Sequence, residues 1–138
     1  AGLLLAELPD EAIDAFVAAA GPGSNSALLL AEIRHIGGAL ARKPARAGAL
    51  GRFNGEYMTF AAGIPITPEI AAAIHIGLAT LTDALTPWDS GSAYLNFTED
   101  QVDPAKFYAA SSYERLRRVK AEVDPAGLFR GNHAISAD

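Results

Sequence analysis

The sequence predicts an α+β fold: an antiparallel sheet with helices packed on one face, in the order α-β-β-α-β-α. Three observations lead there. Short runs with period-two alternation stand between longer runs of helical spacing. Every strand-like run has one apolar face and one mixed face. The chain has 138 residues, half of them apolar and a fifth charged, which fits one folded domain that buries ~68–70% of its unfolded surface.

The elements follow in chain order. Pro9 to Ala20 reads as a helix: Pro9 suits a first turn, Asp10 and Glu11 favour the positive helix end, and Ile13, Phe16 and Val17 make one stripe. Gly21-Pro22-Gly23-Ser24-Asn25 breaks it. Leu28 to Ile36 reads as a strand ending at Gly37-Gly38, with Leu29, Ala31 and Ile33 on its apolar face and Glu32 and Arg34 on the other. Residues 42–54 carry Arg42, Lys43, Arg46 and Arg52 among Ala, Gly and Pro and read as a charged loop.

A second strand spans Glu56 to Ile64. Its apolar side is Met58, Phe60, Ala62 and Ile64, and its mixed side is Tyr57, Thr59 and Ala61. Thr67-Pro68-Glu69 opens a capped helix whose Ile70, Ile74, Leu78, Leu81 and Leu85 recur until Pro87. Ala93 to Phe97 reads as the third strand. Ser111-Ser112-Tyr113-Glu114 has the capping-box pattern for a last helix, with Leu116, Val119 and Val123 inward, and Asp124-Pro125 stops it.

Composition narrows the functions. The formal charge of −5 is wrong for a protein whose main partner is nucleic acid. No cysteine means no disulfide, thiol nucleophile or thiolate zinc site, and suits a reducing cytoplasm. No run is expected to approach the ~20 apolar residues of a membrane-spanning helix. Gly21-Pro22-Gly23 lacks the context of a phosphate loop, and no two of His35, His75 and His133 have metal-ligand spacing. A start at Ala1, in what reads as mid-strand, leads us to expect a longer protein.

The mixed strand faces hold the candidates. Period two puts Tyr94 and Asn96 side by side, away from Leu95 and Phe97. Tyr94 is a phenol donor or base, or a packing tyrosine with an ordinary hydrogen bond, which is the commoner role on strands. Asn96 offers a donor and an acceptor to a heteroaromatic edge. His35 falls on the apolar face, His75 within a helix, and His133 in a tail. Arg115, Arg117, Arg118 and Lys120 read as the solvated face of the last helix.

Tyr94-Leu95-Asn96-Phe97, Arg115-Leu116-Arg117-Arg118-Val119-Lys120, Val123-Asp124-Pro125 and Leu128-Phe129 with Asn132-His133-Ala134-Ile135 form an ordered set. It resembles the C-terminal signature of berberine-bridge-enzyme-like flavin oxidoreductases. Glu32-Ile33-Arg34-His35-Ile36-Gly37-Gly38-Ala39 resembles the family's strand ending in Gly-Gly-Ala, and Asp10-Glu11-Ala12-Ile13-Asp14 its preceding helix. Arg52-Phe53-Asn54 departs from the usual His-Arg pairing, so no role is carried over there.

The resemblance implies the vanillyl-alcohol-oxidase-type fold, in which an FAD-binding domain holds the cofactor and an antiparallel sheet roofs its ring. Residues 1–91 would supply part of the substrate-domain sheet and helices, and 92–138 the berberine-bridge-type C-terminal segment. The FAD-binding domain is absent from this chain and is an expected partner, alongside a small-molecule substrate. By the same resemblance Tyr94 is the catalytic residue. The strand before Gly37-Gly38 would supply a substrate contact from Glu32, Arg34 or His35, with Tyr57 added from the mixed strand face. Asn96 matches the motif's asparagine near the flavin, and Asn132 and His133 are expected to face FAD. The alternative is a non-catalytic α+β module that forms a homodimer or docks through its mixed sheet face.

Overall fold

The computed structural model describes residues 1–137; residue 138, the last of the expected C-terminal segment, lies outside them. The elements are β1 (Leu4–Leu5), α1 (Asp10–Ala20), β2 (Leu30–His35), β3 (Tyr57–Ala62), α2 (Pro68–Leu85) and α3 (Ala110–Val123). Three short 3-10 turns lie at Thr86–Trp88, Leu95–Phe97 and Pro104–Phe107. The α+β class holds, with a three-stranded sheet in the order β1-β3-β2 and both pairings antiparallel.

Two strands and all three helices lie where periodicity puts them; the third strand does not. Residues 1–5 occupy that place along β3. Leu4 pairs with Met58 and Leu5 with Tyr57, and Ala1 exchanges bonds of 2.9 Å with Ala61. With that edge filled, Ala93–Phe97 crosses the sheet as coil and a 3-10 turn, where Phe97 N donates to Tyr94 O at 2.9 Å. A period-two pattern marks alternating burial, and a segment laid over a sheet can satisfy it as a strand does.

The sheet separates two cores. On one side Leu5, Ala61, Leu81 and Leu85 pack with Phe16, Ala19 and Ala20 of α1 and with Ala31 and Tyr57. On the other Leu4, Ile36 and Met58 pack with Phe53, Tyr94 and Phe97. This reverses the expected faces of β3: Tyr57, Thr59 and Ala61 look to the helices, and Met58 and Phe60 look away. The physical reason is that β3 is central and buried on both faces, with Met58 and Thr59 at 5% and 4% exposure. Polarity alternation therefore loses its meaning there. The small Ala31 and Ala61, paired across the strands, suit the close approach of α2. Thr59 is tolerated because its hydroxyl accepts from Leu3 N at 2.9 Å. On β2 the expected faces hold, since Ala31 is in the helix-side core and Glu32 pairs with Phe60 on the other face.

Helix ends follow local chemistry. Thr67 caps α2, its hydroxyl accepting from Ile70 N at 3.3 Å, with Pro68 in the first turn. In α1 the inward side is Ala12, Phe16, Ala19 and Ala20, while Ile13 and Val17 are 43% and 49% exposed, so the stripe is rotated from the expected one. The last helix starts at Ala110 without a side-chain cap and buries none of its residues, in place of the expected capping box and inward valines. Among the described residues, 68–88 form one stretch long and apolar enough to cross a membrane by length and composition. That corrects the expectation that no such run occurs, although its Ile74, Gly77, Leu81 and Leu85 are buried within the fold.

Candidate functional site

The sheet face turned away from α1 and α2 gathers most of the chemically able side chains. Glu32 and Arg34 stand on β2 opposite Phe60 and Met58 of β3. They form an ion pair with each other, and the Glu32 Oε1 that Arg34 meets is shut off from solvent. The Arg34 guanidinium lies over the Phe97 ring, 5.3 Å from its centre, a cation–π contact.

Phe97 is the hub. Its ring centre is 4.5 Å from that of Phe60 and 5.0 Å from that of Tyr94, and Tyr94 meets Phe53 edge-on at 5.0 Å. The 3-10 turn explains this. Residues three apart in such a turn lie on one side, so Tyr94 and Phe97 point together, not apart as a strand would have them. Asn96 curls back instead and donates from Nδ2 to the Tyr94 hydroxyl oxygen at 2.9 Å. Tyr94 O also accepts from Thr98 Oγ1 at 2.9 Å, which fixes the turn. The phenol keeps its own proton to donate, and Asn96, being exposed, keeps its carbonyl oxygen and a second N–H.

The structure thus brings together Glu32, Arg34, Tyr94 and Asn96. It separates the others. Tyr57, expected beside them, lies on the helix side with its ring 5.1 Å from that of His35, because β3 presents its odd positions to α2. Asn132 is engaged through its backbone, its carbonyl accepting from Gln101 Nε2 at 2.9 Å. His133 packs edge-on against Phe107 at 4.8 Å, and its Nε2 lies 2.9 Å from Thr98 O. The carbonyl can only accept, so that nitrogen carries the proton. These bonds fold the tail back onto residues 98–107.

Phe53 and Phe97 are site residues that sequence reasoning missed. Phe53 sits in the basic loop, where nothing in the spacing assigns an inward ring. For Phe97 the aromatic of Tyr-x-Asn-Phe was a usable signal, hidden by the strand assignment.

The remaining motif residues have architectural roles. Asp124 is buried at the end of α3. Its carboxylate pairs with Lys120 and accepts from Leu128 N at 2.8 Å and Phe129 N at 3.1 Å. The Lys120 bond, helped by the two backbone donors and outweighing the opposing effect of burial, holds this carboxyl below its ordinary range. At the other motif, Gly38 adopts φ +66°, a conformation that suits glycine.

Residues 93–136 match the family model described as berberine and berberine like. This segment is similar to that family. Over 96 residues the chain is 35% identical to the FAD-linked oxidoreductase aurO of Gibberella zeae, an alignment covering 66% of this chain and 19% of that protein. The chain spans about a fifth of the length of that relative. The resemblance to berberine-bridge-enzyme-like FAD-linked oxidoreductases is therefore shown. The berberine-like segment contributes Tyr94, Asn96 and Phe97 to the open sheet face, and the sheet before it contributes Glu32, Arg34 and Phe60.

Proposed function

We propose that this chain is the part of an FAD-dependent oxidoreductase whose helix-free sheet side, layered over by Phe53, Tyr94 and Phe97, faces the flavin ring, with the FAD-binding domain supplied from outside residues 1–138. One observation carries the reading: Tyr94 and Asn96 are hydrogen-bonded on an aromatic sheet face that the helices leave free. The rings of Phe53, Phe60 and Phe97 fit a flat heteroaromatic group, and the spare donor and acceptor of Asn96 fit its polar edge. Asn96 and Tyr94 would hold the ring. When bound, the flavin supplies the acceptor for a hydride from an alcohol carbon.

The work of the chain is to hold the substrate and move its proton. In the reacting state the Tyr94 phenol has given its own proton to solvent. The bond donated by Asn96 supports the phenolate oxygen, which takes the substrate hydroxyl proton and returns to the neutral phenol. Arg34, paired with Glu32 and laid over Phe97, presents a fixed cation beside the same face. Phe53 and Phe97 pack against the Tyr94 ring and fix its position. In the enzyme completed by its FAD-binding domain, Tyr94→Phe is expected to lower kcat by ~10²–10⁴-fold, with flavin absorbance unchanged. Turnover near that of the parent removes Tyr94 from the mechanism.

A second reading, a docking or dimerising module, is favoured by large apolar residues left bare, including Leu29 at 72%, Ile66 at 74% and Ile76 at 67% exposure. Flavin colour in the purified completed protein supports the first reading. A colourless, stable dimer supports the second.

A further inference from the structure

The loop between β2 and β3 is charged against the grain of the molecule. Residues 37–55 contain Arg42, Lys43, Arg46 and Arg52 and no Asp or Glu. The rest of the chain holds seven Lys and Arg against sixteen Asp and Glu. Although acid is plentiful elsewhere, none of these four cations enters an ion pair among the described residues. Three of them, Arg42, Lys43 and Arg52, line a cleft of about 560 Å³ whose walls include Leu40, Leu50 and Phe53. That volume falls within the ~300–1,000 Å³ of small-molecule sites.

We infer that this cleft binds a small organic anion: a carboxylate or phosphate carried on a compact aromatic or acyl body. Two arginines and a lysine with no counter-charge match anionic oxygens, and arginine offers the paired N–H geometry that carboxylates and phosphates accept. The leucines and Phe53 match an apolar body, which a site for inorganic anions would not need. The cleft adjoins the aromatic side of the sheet at Phe53, whose ring also meets Tyr94. The inference stands on the cleft alone and holds whether or not that face covers a flavin.

Calorimetric titration of the 138-residue chain with phenyl phosphate, inorganic phosphate and benzyl alcohol tests it. Phenyl phosphate is expected to bind at least about tenfold more tightly than either of the others, and more weakly as salt is raised. Lys43→Gln alone and Arg42→Gln with Arg52→Gln should each weaken it by about tenfold or more. Arg117→Gln, which removes a cation paired with Glu114 on α3, should leave it unchanged. Circular dichroism reports whether each variant is folded. Absent saturable binding, equal affinity for inorganic phosphate or benzyl alcohol, or binding undiminished in folded cleft variants overturns the inference.

Discussion

The two faces of one small sheet have been built for different ends. Toward α1 and α2 the buried contacts are mainly aliphatic, with Leu5 and Leu85 wholly buried, Phe16 and Tyr57 packed against them, and the Thr59 hydroxyl satisfied by the backbone of Leu3. Away from the helices Leu4, Ile36 and Met58 are covered by aromatic groups: Phe53, Phe60, Tyr94 and Phe97 meet ring to ring, and the ion-paired Arg34 lies over Phe97. Aliphatic packing fills volume without direction. Rings and charges impose geometry, and they leave polar atoms at the surface where a ligand can meet them. The contrast separates the part of the domain that holds the fold from the part that offers chemistry.

Substitutions should divide along the same line. The largest stability loss is expected on the helix side, where Leu85→Ala should cost about 2–5 kcal/mol in urea unfolding because it empties a fully buried site. A loss under about 1 kcal/mol would mean that α2 is not the buttress of the sheet. On the open face, Asn96→Leu in the completed enzyme should reduce turnover about tenfold while the unfolding midpoint stays put, since it removes one hydrogen bond from an exposed side chain. If stability falls and turnover does not, the bond is architectural and the contrast between the faces fails.

Arg34→Met is a smaller change. It should lower stability by about 0.5–1 kcal/mol through the lost contact with Phe97, and further by leaving the Glu32 carboxylate unpaired; only the Phe97 share should vanish in a Phe97→Leu background. The smallest effect lies off both faces. The Asp124 carboxyl is held below its ordinary range in the folded chain, so its contribution is present above the ordinary aspartate range and is lost as pH falls through the lowered value. Amide exchange at Leu128 and Phe129 should therefore show less protection in acid than near neutrality. Asp124→Asn should flatten that difference.

Parts of this arrangement were legible in the residues. Thr67-Pro68-Glu69 announced α2 because a cap acts locally, through one hydroxyl and one nearby N–H. Glu32 and Arg34 were assignable to the open face because β2 has two faces of different polarity. Tyr57 was not, since β3 is buried on both sides and its alternation separates two cores. Tyr94 and Asn96 were correctly paired for an incorrect reason: a tight turn, not a strand, brings Asn96 back to the phenol. Asn132 and His133 carried a motif but no spacing information, and their bonds to Gln101 and Thr98 join residues about thirty positions apart.

The sequence by itself determined the helices, two strands, the ordered motifs of residues 93–136 and the isolated basic loop. Each of these depends on neighbours within a few residues or on composition. Only the tertiary structure decided which side of β3 meets the helices, and that residues 1–5 take the sheet position open to 93–97. The same holds for Phe53 and Phe97 as walls of the open face. Those outcomes depend on competition between distant segments for one strand edge and for one buried surface, and local periodicity contains no record of who wins.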